Sequence, residues 1–190
     1  MNFEIENEKV AYSGFLKVTE ATVTYDSFDA ANKSITATRE CLERGDSVAV
    51  LLLEEETDTF IFTKQFRYPS ARKDQPWMLE LVAGSIDGNE DPKECAKREI
   101  LEEIGFEVSE LQKVITYFPS PGGCSEQIHI FFAIVRSTQQ IQTGGGKNSE
   151  KEDIETIRIP KSEARKMLQD GAFNNSISII GLQWYFLNEF

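Results

Sequence analysis

The stretch GSIDGNEDPKECAKREILEEIGF, residues 84–106, decides the fold. Its middle reads as the one strongly marked helix of the chain. Asn89 is a candidate N-cap, Glu90 and Asp91 suit the electropositive start, Pro92 is tolerated in a first turn, and Gly105 is placed to terminate the helix. At about 100° per residue, Glu102 and Glu103 fall within about 60° of Glu99, beside a second stripe formed by Ala96, Ile100 and Ile104. The apolar stripe is a core face, which leaves the glutamates to share the stripe next to it. Like charges three and four apart cost a helix about 0.2–0.5 kcal/mol per pair unless something positive joins them. Arg98 flanks the acids and carries charge for one of the three. Two readings are open at this point. Glutamate is a good helix former and the stripe is a solvated face, or the stripe serves a hard cation such as Mg²⁺ or Mn²⁺. Such ions take carboxylate oxygens at about 2 Å and keep waters for substrate phosphates.

Upstream of this helix, FLKVTEATVTYDSF (15–28), SITATRECL (34–42), SVAVLLL (47–53) and TFIFTKQFRY (59–68) read as strands, with a turn at Arg44, Gly45 and Asp46. A loop containing Pro69 and Pro76 leads into the apolar run WMLELVAG (77–84). Downstream come strands at about 112–118 and 127–135, then QTGGGKNSEKED (142–153), a glycine-rich charged loop expected to be mobile. A short strand IETIRI precedes Pro160. A helix capped by Ser162 then runs to about Gln169, with Gly171 as its stop, and an amphipathic helix follows from about Ser176 to Leu187. Strands with one early helix and two late ones predict an α/β domain in which a mixed sheet lies between helices.

Length and composition narrow the function classes. At 190 residues, and with about 150 residues per domain as a prior, the chain is one medium domain. With 40% hydrophobic and 27% charged residues it can bury a core. No apolar run approaches the roughly 18 residues of a membrane helix, so no membrane partner is expected. A net charge of -12 repels nucleic acid and offers no basic stripe. Such a chain acts on an anionic substrate only if a divalent cation mediates. Cys41, Cys95 and Cys124 form no CxxC pair, which argues against a disulfide framework or structural zinc. The start MNFEIENEKV lacks the basic and apolar regions of a secretory signal, so a cytoplasmic location is expected. The single histidine, His129, sits in the strand-like QIHIFFAIV. It is read as a packed strand residue, and a Ser-His-Asp triad has little room.

Residues 84–106 resemble the Nudix box, G-x5-E-x7-R-E-U-x-E-E-x-G-U with U apolar. Gly84, Glu90, Arg98, Glu99, Ile100, Glu102, Glu103, Gly105 and Phe106 fill every defined position. The resemblance extends along the chain to the ADP-ribose pyrophosphatase group through YSGFLKV, TRECLERG (38–45), PWMLELVAGSID (76–87) and SPGGCSEQIHIFFA (120–133). SEKEDIETIRI and ISIIGLQWYF are similar too. It implies a Nudix fold, an α/β/α sandwich with a mixed sheet over 47–190, plus an N-terminal β segment over 1–46 that serves dimerisation and substrate contacts. It implies Mg²⁺, with Mn²⁺ as an alternative and more than one ion per site.

Residue by residue, the resemblance implies metal ligation by Glu99, Glu103, Glu152 and the carbonyl of Ala83, with Glu102 in a bridging or supporting catalytic role. Glu150 matches the catalytic base, and Glu152 is its rival. Gly84, Glu90, Arg98 and Gly105 are structural. Phe15 matches a residue that stacks on adenine, Arg39 and Glu40 match nucleotide contacts, Arg67 matches a phosphate-binding arginine, and Glu126 matches a contact near the terminal ribose. The implied reaction is hydrolysis of the diphosphate of ADP-ribose to AMP and ribose 5-phosphate, by a domain-swapped homodimer. GGG followed by an acidic loop also resembles the GDP-mannose pyrophosphatase branch, so a different nucleoside diphosphate sugar is the alternative substrate. A catalytically silent module that binds ADP-ribose is the reading from a different class.

Overall fold

The structure, a computed structural model, describes residues 1–29, 31–147, 149 and 151–188. These divide into two compact units, Met1–Asp46 with Phe118–Gln127, and Ser47–Tyr117 with Ile128–Phe190.

The first unit is a three-stranded antiparallel sheet of β1 (Phe3–Ser13), β2 (Lys17–Asp26) and β3 (Ser34–Glu43) in that order. β2 and β3 pair in unbroken register from Lys17↔Glu43 to Asp26↔Ser34. β1 escaped the sequence reading for a physical reason. Phe3 and Ile5 alternate with Glu4 and Glu6, but the phase changes before Val10 and Tyr12, where register shifts follow Glu6 and Val10, so no single alternation runs its length. The segment 118–127 is held on β3 by backbone bonds from Leu42 N–H to the Gly123 carbonyl (2.8 Å) and from Ser125 N–H to the Leu42 carbonyl (3.2 Å). The Ser125 hydroxyl also donates to Glu43 Oε2 at 2.6 Å.

The second unit runs β4 (Ser47–Glu54), β5 (Thr59–Phe66), α1 (Tyr68–Ala71), β6 (Trp77–Glu80), β7 (Val82–Ser85), α2 (Pro92–Ile104), β8 (Gln112–Tyr117), β9 (Ile128–Val135), β10 (Glu155–Pro160), α3 (Lys161–Gln169) and α4 (Ser176–Asn188). Its sheet has the path β10-β5-β4-β9-β8, with β6 added to β5 and β7 to β4. The β4·β9 pair is parallel and the others are antiparallel, so the sheet is mixed as expected. β4 is central and buried along its whole length, which is why its sequence reads as a continuous apolar run and not as an alternation. Val48, Val50, Leu52 and Ile61 face Cys95, Ala96, Ile100 and Ile104 of α2. Ala49, Leu51, Phe60 and Phe62 face the α3 and α4 side, against Ala164, Leu182 and Tyr185. Each fully buried Leu, Ile or Phe contributes about 1.5–3 kcal/mol. The two layers make an α/β/α sandwich.

Local chemistry sets the ends of α2, with one correction to the sequence reading. The N-cap is Asp91, not Asn89: its Oδ1 accepts from the N–H groups of Lys93 and Glu94. Asp91 directly precedes Pro92, whose fixed φ suits the first helical position, so the cap falls there. Gly105 ends the helix at φ +77°, a left-handed turn that favours glycine. α3 likewise starts at Lys161 with Pro160 in the cap position, which places Ser162 inside the first turn. The proline loop after β5 contains the single turn of α1.

Candidate active site

Glu99 and Glu103 lie on α2 where it packs over β7. Glu103 is 2% exposed, and its Oε2 accepts the amide N–H of Ala83 at 3.2 Å. Burial pushes its carboxyl well above the usual range. The Ala83 hydrogen bond opposes this, and the negative charges of Glu99 and Glu152 reinforce it. Glu99 is also raised by burial, against the pull of Arg98. Its carboxylate lies against the backbone of Gly84, so close that a Cβ at position 84 would overlap it. Gly84 is glycine for space: β7 must let a carboxylate rest on its main chain.

Arg98 does more than the helix wheel suggested. Its guanidinium takes Glu90 in a two-pronged bond, Nε to Oε1 at 3.0 Å and Nη2 to Oε2 at 2.9 Å. It also reaches Glu99 Oε1 at 2.6 Å, Glu102 Oε2 at 3.2 Å and the Ser85 carbonyl at 3.2 Å. One arginine therefore ties the loop before α2 to two acids on the helix, a geometry that lysine cannot reproduce. The paired guanidinium holds the Glu90 carboxyl down to about 2. The thiol of Cys95, buried beneath this network, donates to the Ser85 carbonyl at 3.3 Å and is pushed up to about 12 by burial, against the pull of Arg98.

The glycine-rich segment after β9 folds back onto the end of α2. Gly144, Gly145 and Gly146 have φ of +69°, +111° and +84°. The N–H of Gly145 donates to the Glu103 carbonyl at 2.8 Å and that of Gly146 to the Glu102 carbonyl at 3.1 Å. The run thus satisfies carbonyls at the end of α2, at a distance that a Cβ on Gly144 would forbid. From there Lys147 sends its backbone N–H to Glu152 Oε2 (2.9 Å) and its ammonium to Glu102 Oε2 (2.9 Å). Lys147 was missed in the sequence reading. Its only signal was a cation placed between three glycines and an acidic run. Glu150, the expected base, lies outside the described residues.

Among the substrate-contact candidates, Arg67 is in the second unit. Its Nε bonds Glu80 Oε2 at 2.9 Å, and its charge acts on Glu103. The partner Glu80 was not anticipated, because it lies 13 residues away and meets Arg67 through the pairing of β5 with β6. The other four belong to the first unit. Phe15 is fully exposed. Arg39 and Glu40 are exposed neighbours on β3, with Arg39 Nη1 donating to the Thr38 carbonyl at 2.9 Å. Glu126 is 6% exposed, with Arg44 Nε 3.6 Å from its Oε1. His129 is a half-buried strand residue whose Nδ1 is 3.0 Å from the Thr116 hydroxyl.

Among the described residues, no three carboxylate, thiol or imidazole groups form a ready-made cation cage. The donor set nevertheless fits a hard divalent ion. Glu103 feels the charges of both Glu99 and Glu152, all are oxygen donors, and a cation would relieve the burial of negative charge.

The NUDIX domain family model matches residues 43–177. The chain is 34% identical over 191 residues to an ADP-ribose pyrophosphatase of Haemophilus influenzae, covering 98% of this chain and 87% of that protein. It is 31% identical over 185 residues to a GDP-mannose pyrophosphatase of Salmonella arizonae, covering 96% and 94%. A GDP-mannose pyrophosphatase of Yersinia enterocolitica is 35% identical over 163 residues, covering 85% and 84%.

Proposed function

This chain belongs to the NUDIX domain family, and on that premise we propose that it hydrolyses the diphosphate of ADP-ribose to AMP and ribose 5-phosphate. The observation that carries the reading is the carboxylate of Glu103, 2% exposed and held against the amide of Ala83 within the field of Glu99 and Glu152. A buried acid among acids is costly in a fold unless a cation is meant to join it.

Glu99, Glu103, Glu152 and the Ala83 carbonyl would hold Mg²⁺ or Mn²⁺, more than one ion per site. When bound, such ions supply charge neutralisation for the diphosphate and lower the pKa of the attacking water. The chain's own residues do the rest. Arg98 and Glu90 fix the helix face, and Gly84 makes room for Glu99. Arg67 offers a guanidinium to a phosphate oxygen, and Glu102 supports the ion-binding acids. A carboxylate oxygen of Glu150 accepts the proton of the attacking water. Water adds to one phosphorus, the P–O–P bridge breaks, and two monophosphates leave.

Phe15, Arg39, Glu40 and Glu126 complete substrate recognition in this proposal, and residues 1–46 serve dimerisation. The exposed Phe3, Ile5, Val10 and Tyr12 of β1 support a homodimer built through that sheet, with strands exchanged. No described helix is long and apolar enough to cross a membrane. A cytoplasmic enzyme is part of the same proposal.

The GDP-mannose pyrophosphatase relatives keep a second reading in view, the same chemistry on GDP-mannose. A substrate panel run with and without Mg²⁺, with released monophosphate measured through added phosphatase, separates them. Faster turnover of ADP-ribose is expected, and equal or better turnover of GDP-mannose would overturn the first choice. A silent binding module would show no turnover of either. The retained box glutamates with Glu150 and Glu152 argue against it, since binding alone does not require them. In the same assay Glu150→Gln is expected to lose turnover with ion affinity little changed. An inert Glu152→Gln that still binds the ion, beside a fully active Glu150→Gln, would move the base to Glu152.

A further inference from the structure

Lys147 stands where the helix acids and the loop acids meet. Its ammonium is 2.9 Å from Glu102 Oε2, its backbone N–H is 2.9 Å from Glu152 Oε2, and its charge acts on Glu99. The position is built. The two preceding glycines are tied to the carbonyls of Glu102 and Glu103, and the Glu152 N–H returns to the Lys147 carbonyl at 3.3 Å. Gly146 cannot carry a side chain without meeting Glu152, so the backbone entering Lys147 is fixed against the acid that its N–H holds. A lysine on a free linker would have many places to put its charge. This one is delivered to the acidic ridge.

We propose that Lys147 is an internal competitor for the divalent cation: a tethered monovalent charge that neutralises Glu102 in the ion-free protein and must leave when the ion enters. The inference rests on the functional reading above and adds a regulatory element to that site. The physical reason is that a flexible ammonium and a divalent ion cannot both be densely packed among the same carboxylates without mutual repulsion. A lysine also withdraws easily, because its charge sits on a long rotatable stem. Ion binding then carries the work of displacing the lysine. Displacement leaves Glu102 with Arg98 as its cationic partner and places a mobile positive charge beside the incoming diphosphate. Arg98 also touches Glu99 and Glu102 through Nη1, but its two-pronged hold on Glu90 fixes it as a permanent part of the site and not a displaceable competitor.

The test is Mn²⁺ binding to the ion-free, substrate-free protein, measured by calorimetry or by the spin resonance signal of free Mn²⁺. Lys147→Met keeps the stem and removes the charge. It is expected to bind the first ion more tightly, by on the order of fivefold for a partly exposed ion pair. Lys147→Arg, which keeps the charge, is expected to stay within about twofold of the wild type, a change too small to signal a lost competitor. Unchanged or weaker binding by Lys147→Met, with its circular dichroism intact, overturns the proposal and leaves the hydrolase reading standing. A wild type that takes up no Mn²⁺ brings down both.

Discussion

The contact between Gly84 and Glu99 separates fold from function in a single substitution. In Gly84→Ala the new methyl would occupy the space of the Glu99 carboxyl group. That obstacle is the far end of a flexible side chain, so β7 can keep its pairing with Val48 while Glu99 swings away. The swing breaks the 2.6 Å bond to Arg98 Nη1. A charge-assisted bond between groups 25% and 12% exposed is worth at most about 1.5–3 kcal/mol, and screening reduces that to about 1 kcal/mol. Replacing glycine by alanine lowers the entropy of the unfolded chain and returns about 0.4–1 kcal/mol. The net change is near zero, and the ion-free melting temperature should move by no more than about 4 °C. Activity should not survive as well. Losing even a supporting contact at a metal site costs about 10–100-fold, so displacing a ligand should cost on the order of 100-fold or more in kcat/KM. Part of the loss should be recovered at high Mg²⁺. The assay is steady-state hydrolysis across a Mg²⁺ series, beside a thermal melt without the ion. Wild-type kinetics at every Mg²⁺ concentration would refute the placement of Glu99 as a ligand. A melt lowered by more than about 10 °C would show that the space serves the fold.

Two titrations test the acids in opposite directions. Glu103 has a raised carboxyl in the fold, so above the ordinary carboxylate value of 4.5 the unfolded chain holds fewer protons than the folded one. Ion-free stability should therefore fall as pH rises from about 4.5 towards the raised value. Glu103→Gln should flatten that slope, abolish stabilisation by Mg²⁺ and lose most of the rate; a slope that survives the substitution would refute the assignment. Glu90 is depressed to about 2 by Arg98. Its contribution should be complete above about 4.5 and vanish as pH falls towards about 2. Glu90→Gln should be less stable than the wild type at neutral pH, with the difference closing on acidification. Chemical denaturation at several pH values measures both, and a constant difference for Glu90→Gln would sink the second.

The helix, its acidic stripe and the strands of the sandwich were legible in residues 84–106 and in apolar runs such as SVAVLLL, because local spacing sets which side chains share a face. Gly105 as the helix stop was legible for the same kind of reason, since a left-handed turn is a local demand. Asp91 as the cap was legible too, since it stands directly before Pro92 at the first helical position, a local signal that the choice of Asn89 passed over. β1 was not legible as one strand because its alternation changes phase between Ile5 and Val10, where the pairing register shifts.

Sequence by itself determined which acids lie along one ridge of α2 and that Arg98 stands beside them, since a helix's geometry is repeated at every turn. Tertiary structure alone decided what meets that ridge. Gly84 comes under Glu99 through the pairing of β7 with β4, Ala83 supplies its amide to Glu103, and the glycine run brings Lys147 and Glu152 onto the end of the helix. These partners are 15 to 50 residues apart in the chain. Packing, not spacing, joins them, and it is packing that turns a row of like charges into a place where a cation is wanted.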